Sequence, residues 1–281
     1  MVRGLCRGPR GQRRASAPSL LCSPTPATGS LRLDYELSSR DVAIDMPDGE
    51  SIDAYLTEEV PLSGAQARPS RGVVLLPDCR GVGCERIRTL ADRLAVFCCA
   101  MVLVPDVYRG SPLATTLSVA SDDGAAWMSG CPPRRCAGDV RSSGIYLRAD
   151  HQVDSVALVG YGFGGDLVLR ALSATDVAPL GMTSGLALCP RSVTSAELSL
   201  DLPVPTLCML EGSPVAATLG SAAPRAPCPP VVMRFAGLKG ACGMSGDDEA
   251  EASHDDEEGG RDEREDGIIM AEAWLNLQMR S

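Results

Sequence analysis

Apolar and polar residues alternate with period two along Asp41-Val42-Ala43-Ile44-Asp45-Met46 and again along Ser51-Ile52-Asp53-Ala54-Tyr55-Leu56. Pro47-Asp48-Gly49-Glu50 between them is turn chemistry, so the pattern predicts a hairpin with one buried face. A Gly-, Pro- and Ser-rich loop follows from Pro61 to Ser70. Beyond it, short continuous apolar runs at Val73–Leu76, Met101–Val104, Val156–Val159, Gly185–Leu188, Thr206–Leu210 and Val231–Phe235 read as six central strands. Ile87, Leu90, Ala91 and Leu94 share one side of a helix, a face suited to docking on a sheet. Ile268 to Gln278 repeats that amphipathic pattern, with Trp274 as a core residue. Strands alternating with helices predict an α/β fold with a mostly parallel central sheet.

The run Val156 to Val159 leads into Gly160-Tyr161-Gly162-Phe163-Gly164-Gly165, and Asp166 to Leu172 reads as the helix leaving that turn. Strand, glycine turn and helix are the context of a nucleophile elbow, in which the middle residue of G-x-S-x-G projects a hydroxyl or thiol toward substrate. Here the middle residue is Gly162, which projects nothing. Gly160, Gly162 and Gly165 also satisfy the spacing of a dinucleotide-binding turn, but that site needs an acidic residue about twenty positions on. Pro179-Leu180-Gly181-Met182-Thr183 supplies none.

Residues Arg71–Pro112 and Gly138–Gly165 resemble the dienelactone hydrolase family, through Gly72-Val73-Val74-Leu75-Leu76-Pro77-Asp78, Thr89–Ala95, Val102–Gly110 and the glycine turn. The resemblance implies an α/β-hydrolase-like three-layer α/β/α domain over residues 31–281. It also implies a Cys-Asp-His triad, in which histidine generates the thiolate and the carboxylate orients the imidazole. The positions matching that triad are Gly162, Pro214 and Gly240, and Glu211 stands three residues before the aspartate position. Two polar positions match the family's site: Asp78, which would lie against the nucleophile, and Arg109, near a substrate carboxylate. Backbone N–H groups of Cys79 and Phe163 match the oxyanion donors. The resemblance thus implies ester, lactone or small carboxylate ligands at a site stripped of its turnover machinery. Cys79, following Asp78, is the alternative nucleophile of a divergent esterase.

The whole chain contains two histidines. His151 precedes the elbow strand, at the edge expected to lie opposite the site, and His254 sits in an acidic run, so neither is placed as a general base. Twelve cysteines show neither a C-x-x-C pair nor a histidine at metal spacing, so no metal or other cofactor is implied. Cys131 and Cys136 read as a close pair of free thiols in a turn. The net charge of −10 is uneven: residues 1–30 carry five arginines and no acidic residue, whereas 247–266 is strongly acidic. An Arg- and Ser-rich leader has the composition of a plastid or mitochondrial transit peptide, the alternative being a disordered tail of a cytosolic protein. The acidic stretch 245–266 reads as a disordered insertion. Without a basic footprint the folded body is not expected to bind nucleic acid, and no apolar run is long enough to span a membrane. Two further readings use the same residues: an interaction protein acting through the acidic loop, and a decayed or mispredicted coding sequence.

Overall fold

A computed structural model describes residues 35–61, 69–117, 121–173, 181–188, 190, 202, 204–210, 231–234 and 271–279. The leader, the acidic stretch, His254, Pro214 and Gly240 lie outside the described residues.

The alternating segments form the hairpin β1 (Tyr35–Asp45) and β2 (Ser51–Pro61), with Ile44 opposite Ile52. The apolar runs form β3 (Arg71–Leu76), β4 (Met101–Pro105), β5 (Ser155–Tyr161), β6 (Met182–Leu188), β7 (Thr206–Leu210) and β8 (Val231–Arg234). They make one eight-stranded sheet in the order β1-β2-β4-β3-β5-β6-β7-β8. The β1–β2 and β2–β4 pairs are antiparallel and the rest parallel. Because β2 runs against β4, with Ala54 opposite Pro105, the hairpin turn stands beside the carboxyl end of β4.

Continuous apolar runs suit strands buried on both faces, and successive side chains divide between two cores. Val73, Leu75, Ala157 and Val159 point to one side, where they meet Ile87, Ala91 and Leu94 of α1 (Glu85–Cys98) and Ala271 and Leu275 of the last helix, residues 271–278. Val74, Leu76 and Leu158 point to the other, against Val140 and Leu147 of α3 (Pro133–Ala149) and Leu167 and Leu172 of α4 (Phe163–Leu172). The architecture is the expected three-layer α/β/α. The last helix, α5, is further tied to α1 by Arg93, which makes a two-pronged ion pair with the buried carboxylate of Glu272.

Three local readings are corrected. The elbow helix begins at Phe163 rather than Asp166, because Gly162 is itself the helix cap and the chain turns straight from strand into helix. Cys136 lies in the first turn of α3 rather than in a loop turn, since Pro133 has the φ that a first helical position favours. Pattern reading also misses α2 (Asp122–Ser129), in which Gly124 is the only buried residue and Ser121 caps the first turn through its hydroxyl.

Candidate functional site

Parallel strands deliver their following loops to one edge of the sheet. The carboxyl ends of β3, β4 and β5 carry Asp78, Arg109 and Gly162 respectively.

Gly162 has φ 56° and ψ −118°, a conformation that L side chains rarely adopt and that costs them about 1–3 kcal/mol. Its N–H donates to the Leu188 carbonyl of β6 at 2.8 Å, and its carbonyl accepts from the Asp166 N–H at 3.2 Å, so the turn is pinned on both sides. The flanking glycines have a different reason to be there. A Cβ on Gly160 would stand 2.2 Å from the Gly164 carbonyl oxygen, and one on Gly164 would stand 2.3 Å from that of Leu76. A Cβ on Gly162 meets nothing closer than the Asp78 Cβ, at 3.8 Å. The turn therefore joins strand and helix at close approach, with its apex held at positive φ. The apex has room for a side chain and carries none.

Asp78 is 5% exposed and faces that apex. Its carboxylate accepts the Arg80 N–H at 2.9 Å, so it also caps the turn it begins. Cys79 beside it is buried, with its carbonyl held by the Leu113 N–H at 2.8 Å. As the first residue of α4, Phe163 has an N–H with no intrahelical acceptor.

Arg109 sits at φ 54° with its fork already occupied. Nε and Nη2 donate to the two oxygens of Asp139 at 3.1 and 2.7 Å, and Nη1 reaches Asp48 at 2.8 Å and also Glu50. Asp139 hydrogen bonding is the chief cause that raises the guanidinium pKa still further above its ordinary value. The reciprocal bond from Arg109 holds Asp48 below the usual carboxylate range. Three carboxylates from α3 and the hairpin turn thus claim a cation that the family resemblance implies for a ligand.

Replacing Arg109 with Met is expected to cost about 2–3 kcal/mol in urea unfolding, since Asp139 is 3% exposed and loses its partner. That figure lies below the value for a deeply buried pair because Asp48 and Glu50 stand in solvent. Asp48 has a depressed folded pKa, so its share is present above about pH 4 and is lost as pH falls through the folded value. The gap between wild type and Arg109→Met should narrow accordingly in acid.

Three rings stand beside the elbow. Tyr108 and Trp127 have centroids 5.2 Å apart, Trp127 and Phe163 5.6 Å, and Tyr108 and Phe163 6.1 Å. The Tyr108 hydroxyl donates to the Pro77 carbonyl at 2.9 Å, and the Trp127 indole N–H donates to that of Ser111 at 2.7 Å. Burial, then the nearby Asp78 carboxyl, pushes the Tyr108 pKa well up, so this phenol stays protonated. Neither the ring cluster nor the carboxylates on Arg109 is signalled by spacing. They come from the hairpin, the loop after β4, α2, α3 and the elbow, and only the tertiary fold joins them.

His151 stacks edge-on against Tyr146 at 5.0 Å, before β5 begins. Seven residues of strand, about 20 Å, separate that end from Gly162. Nor do the deep thiols offer a nucleophile: burial pushes Cys98 and Cys208 up to about 12 and Cys136 up to about 11. Peptide mapping after brief labelling at pH 8 should therefore find exposed Cys99 modified well before these three. Among the described residues no cluster of His, Cys, Asp and Glu could hold a metal ion, and no helix is long and apolar enough to cross a membrane.

Residues 53–180 match the profile of the dienelactone hydrolase family. No curated protein matches the chain. Among solved structures, the chain is similar to a candidate dienelactone hydrolase from Klebsiella pneumoniae, at 18% identity over 85% of this chain and 98% of that one, with a TM-score of 0.65. A dienelactone hydrolase from Anabaena variabilis aligns at 15% identity over 86% and 99%, with a TM-score of 0.58. A bacterial heroin esterase aligns at 14% identity over 87% and 85%, with a TM-score of 0.57. At these identities the likeness establishes the α/β-hydrolase fold.

Proposed function

We propose that this chain, dienelactone hydrolase-like through residues 53–180 and α/β-hydrolase in fold, holds a small ester, lactone or carboxylate at the elbow without turning it over. The observation that carries this reading is Gly162: a strained apex at positive φ between strand and helix, with room for a side chain and none to present. Acyl transfer by the family route needs a thiolate, a base to make it and a carboxylate to orient that base. The positions that resemble these are Gly162, Gly240 and Pro214.

Binding asks for less. The Phe163 N–H at the start of α4 and the Cys79 N–H are the donors proposed for a carbonyl oxygen. Asp78 would bound the ligand on the side of the apex. A neutral ester or lactone fits this arrangement best, because a carboxylate reaches Arg109 only by displacing carboxylates already bound there. A second reading, with Cys79 as a relocated nucleophile, has the support of one observation: its buried thiol belongs to the loop facing the apex.

Ligand-observed NMR with δ-valerolactone and the full chain tests the proposal, with Gly162→Leu as the blocked variant and circular dichroism to check folding. Binding to wild type that is lost in a folded Gly162→Leu protein, with the lactone recovered intact, is the expected result. Equal binding by both proteins, or consumption of the lactone, would sink it.

A further inference from the structure

The ring cluster supplies what the elbow itself lacks, a surface with chemical preference. The chain has ten aromatic residues, and three of them, Tyr108, Trp127 and Phe163, gather beside Gly162. Phe163 directly follows the apex, and Tyr108 is anchored on Pro77, next to Asp78. Both polar tips of the trio are spent on backbone carbonyls, so toward a ligand the rings offer carbon faces and edges rather than donors. Trp127 and Phe163 are only partly buried, although both pack on the core that contains Tyr108. Their mutual spacing lies in the range of offset and edge-on aromatic contacts, in which a ring partner is favoured over an aliphatic one of equal area.

The charges around the cluster narrow the choice further. Arg109, the cation that a carboxylate ligand would use, is engaged by Asp139, Asp48 and Glu50. Asp78 places a buried acidic side chain against the apex. Both features disfavour an anion and leave a neutral ligand favoured.

We infer that the ligand of this site carries an aromatic ring and no negative charge, its ring lying against Trp127 and Phe163 with Tyr108 behind them and its acyl end over Gly162. The inference rests on the reading of the elbow as a binding site and adds the class of molecule that it takes. Phe163 and Trp127 are then specificity-determining residues. Trp127 also explains α2, a helix with Gly124 as its sole buried residue, which brings the indole to the elbow.

The test compares phenyl acetate, cyclohexyl acetate and benzoate by ligand-observed NMR titration on the full chain. Wild type is expected to bind phenyl acetate about tenfold tighter than the aliphatic ester of similar size, as one good aromatic contact supplies. Benzoate is expected to bind more weakly than phenyl acetate. Trp127→Leu and Phe163→Leu keep apolar bulk and should bring the ratio of the two esters toward one; a residue that merely docks α2 would lower stability and leave that ratio alone. Equal affinity of wild type for both esters, with both lost in Gly162→Leu, overturns the ring inference while the elbow reading stands. Tighter binding of benzoate than of phenyl acetate overturns it also, by moving the ligand to Arg109. Binding of neither ester removes the elbow reading and this inference with it.

Discussion

Gly164→Ala is expected to destabilise the protein by about 3 kcal/mol or more, a loss that few single substitutions reach. The added Cβ would lie 2.3 Å from the Leu76 carbonyl oxygen, with the Pro77 oxygen at 2.7 Å, and neither atom belongs to a side chain that can rotate away. To relieve the clash α4 must lift off β3, which opens the core around Leu76, Leu158 and Leu167. Gly160→Ala meets the Gly164 backbone at 2.2 Å and should cost as much. Gly162→Ala has open space and bears only the strain of its backbone conformation, about 1–3 kcal/mol. Urea midpoints at unchanged slope measure all three. If Gly164→Ala cost no more than Gly162→Ala, the close approach of strand and helix at the elbow would be wrong.

A thiol placed at the apex should be acylated once and stay acylated. Gly162→Cys has space for its Cβ and points it past Asp78, where a nucleophile would meet an ester carbonyl. His151 lies at the far end of β5, so nothing described supplies an imidazole to draw off the thiol proton or to activate the water that would release the acyl group. At an ordinary thiol pKa of about 8.5 only a few per cent is thiolate at neutral pH, so acylation should be slow and should quicken as pH rises toward 8.5. Mass spectrometry after treatment with an activated ester is expected to show one adduct more than in wild type, mapped to the elbow peptide. Repeated turnover by Gly162→Cys would mean that a base is present after all.

The strands of this fold are legible in the sequence because burial on both faces leaves continuous apolar runs that polar loops bound sharply. Val73–Leu76 and Val156–Val159 are cases, and the structure adds only the residues at their ends. The hairpin is equally plain, since Pro47 to Glu50 interrupts two alternating segments. What pattern could not supply is α3, where Asp139, Ser142 and Ser143 are buried among Cys136, Val140 and Leu147 and interrupt the apolar period, while Ile145 stands exposed.

At the site, the glycine turn and its vacant apex are readable because strand, turn and helix are consecutive in the chain. The difference between Gly160 and Gly162 is not readable. One is required by packing and the other by backbone angle, and both are simply glycine in sequence. Arg109 shows the same boundary. The family resemblance implies a place for the cation, while its occupation depends on Asp48 and Glu50 about sixty residues earlier and Asp139 thirty later, held together by antiparallel pairing of β2 with β4 and by the docking of α3.

Steady-state hydrolysis of activated esters and lactones by the folded full chain, with Cys79→Ala in parallel, tests most directly the claim that the elbow binds without turning over. Rates equal to buffer alone are expected for both proteins. Turnover by wild type that disappears in a folded Cys79→Ala protein would contradict it and assign the nucleophile to Cys79.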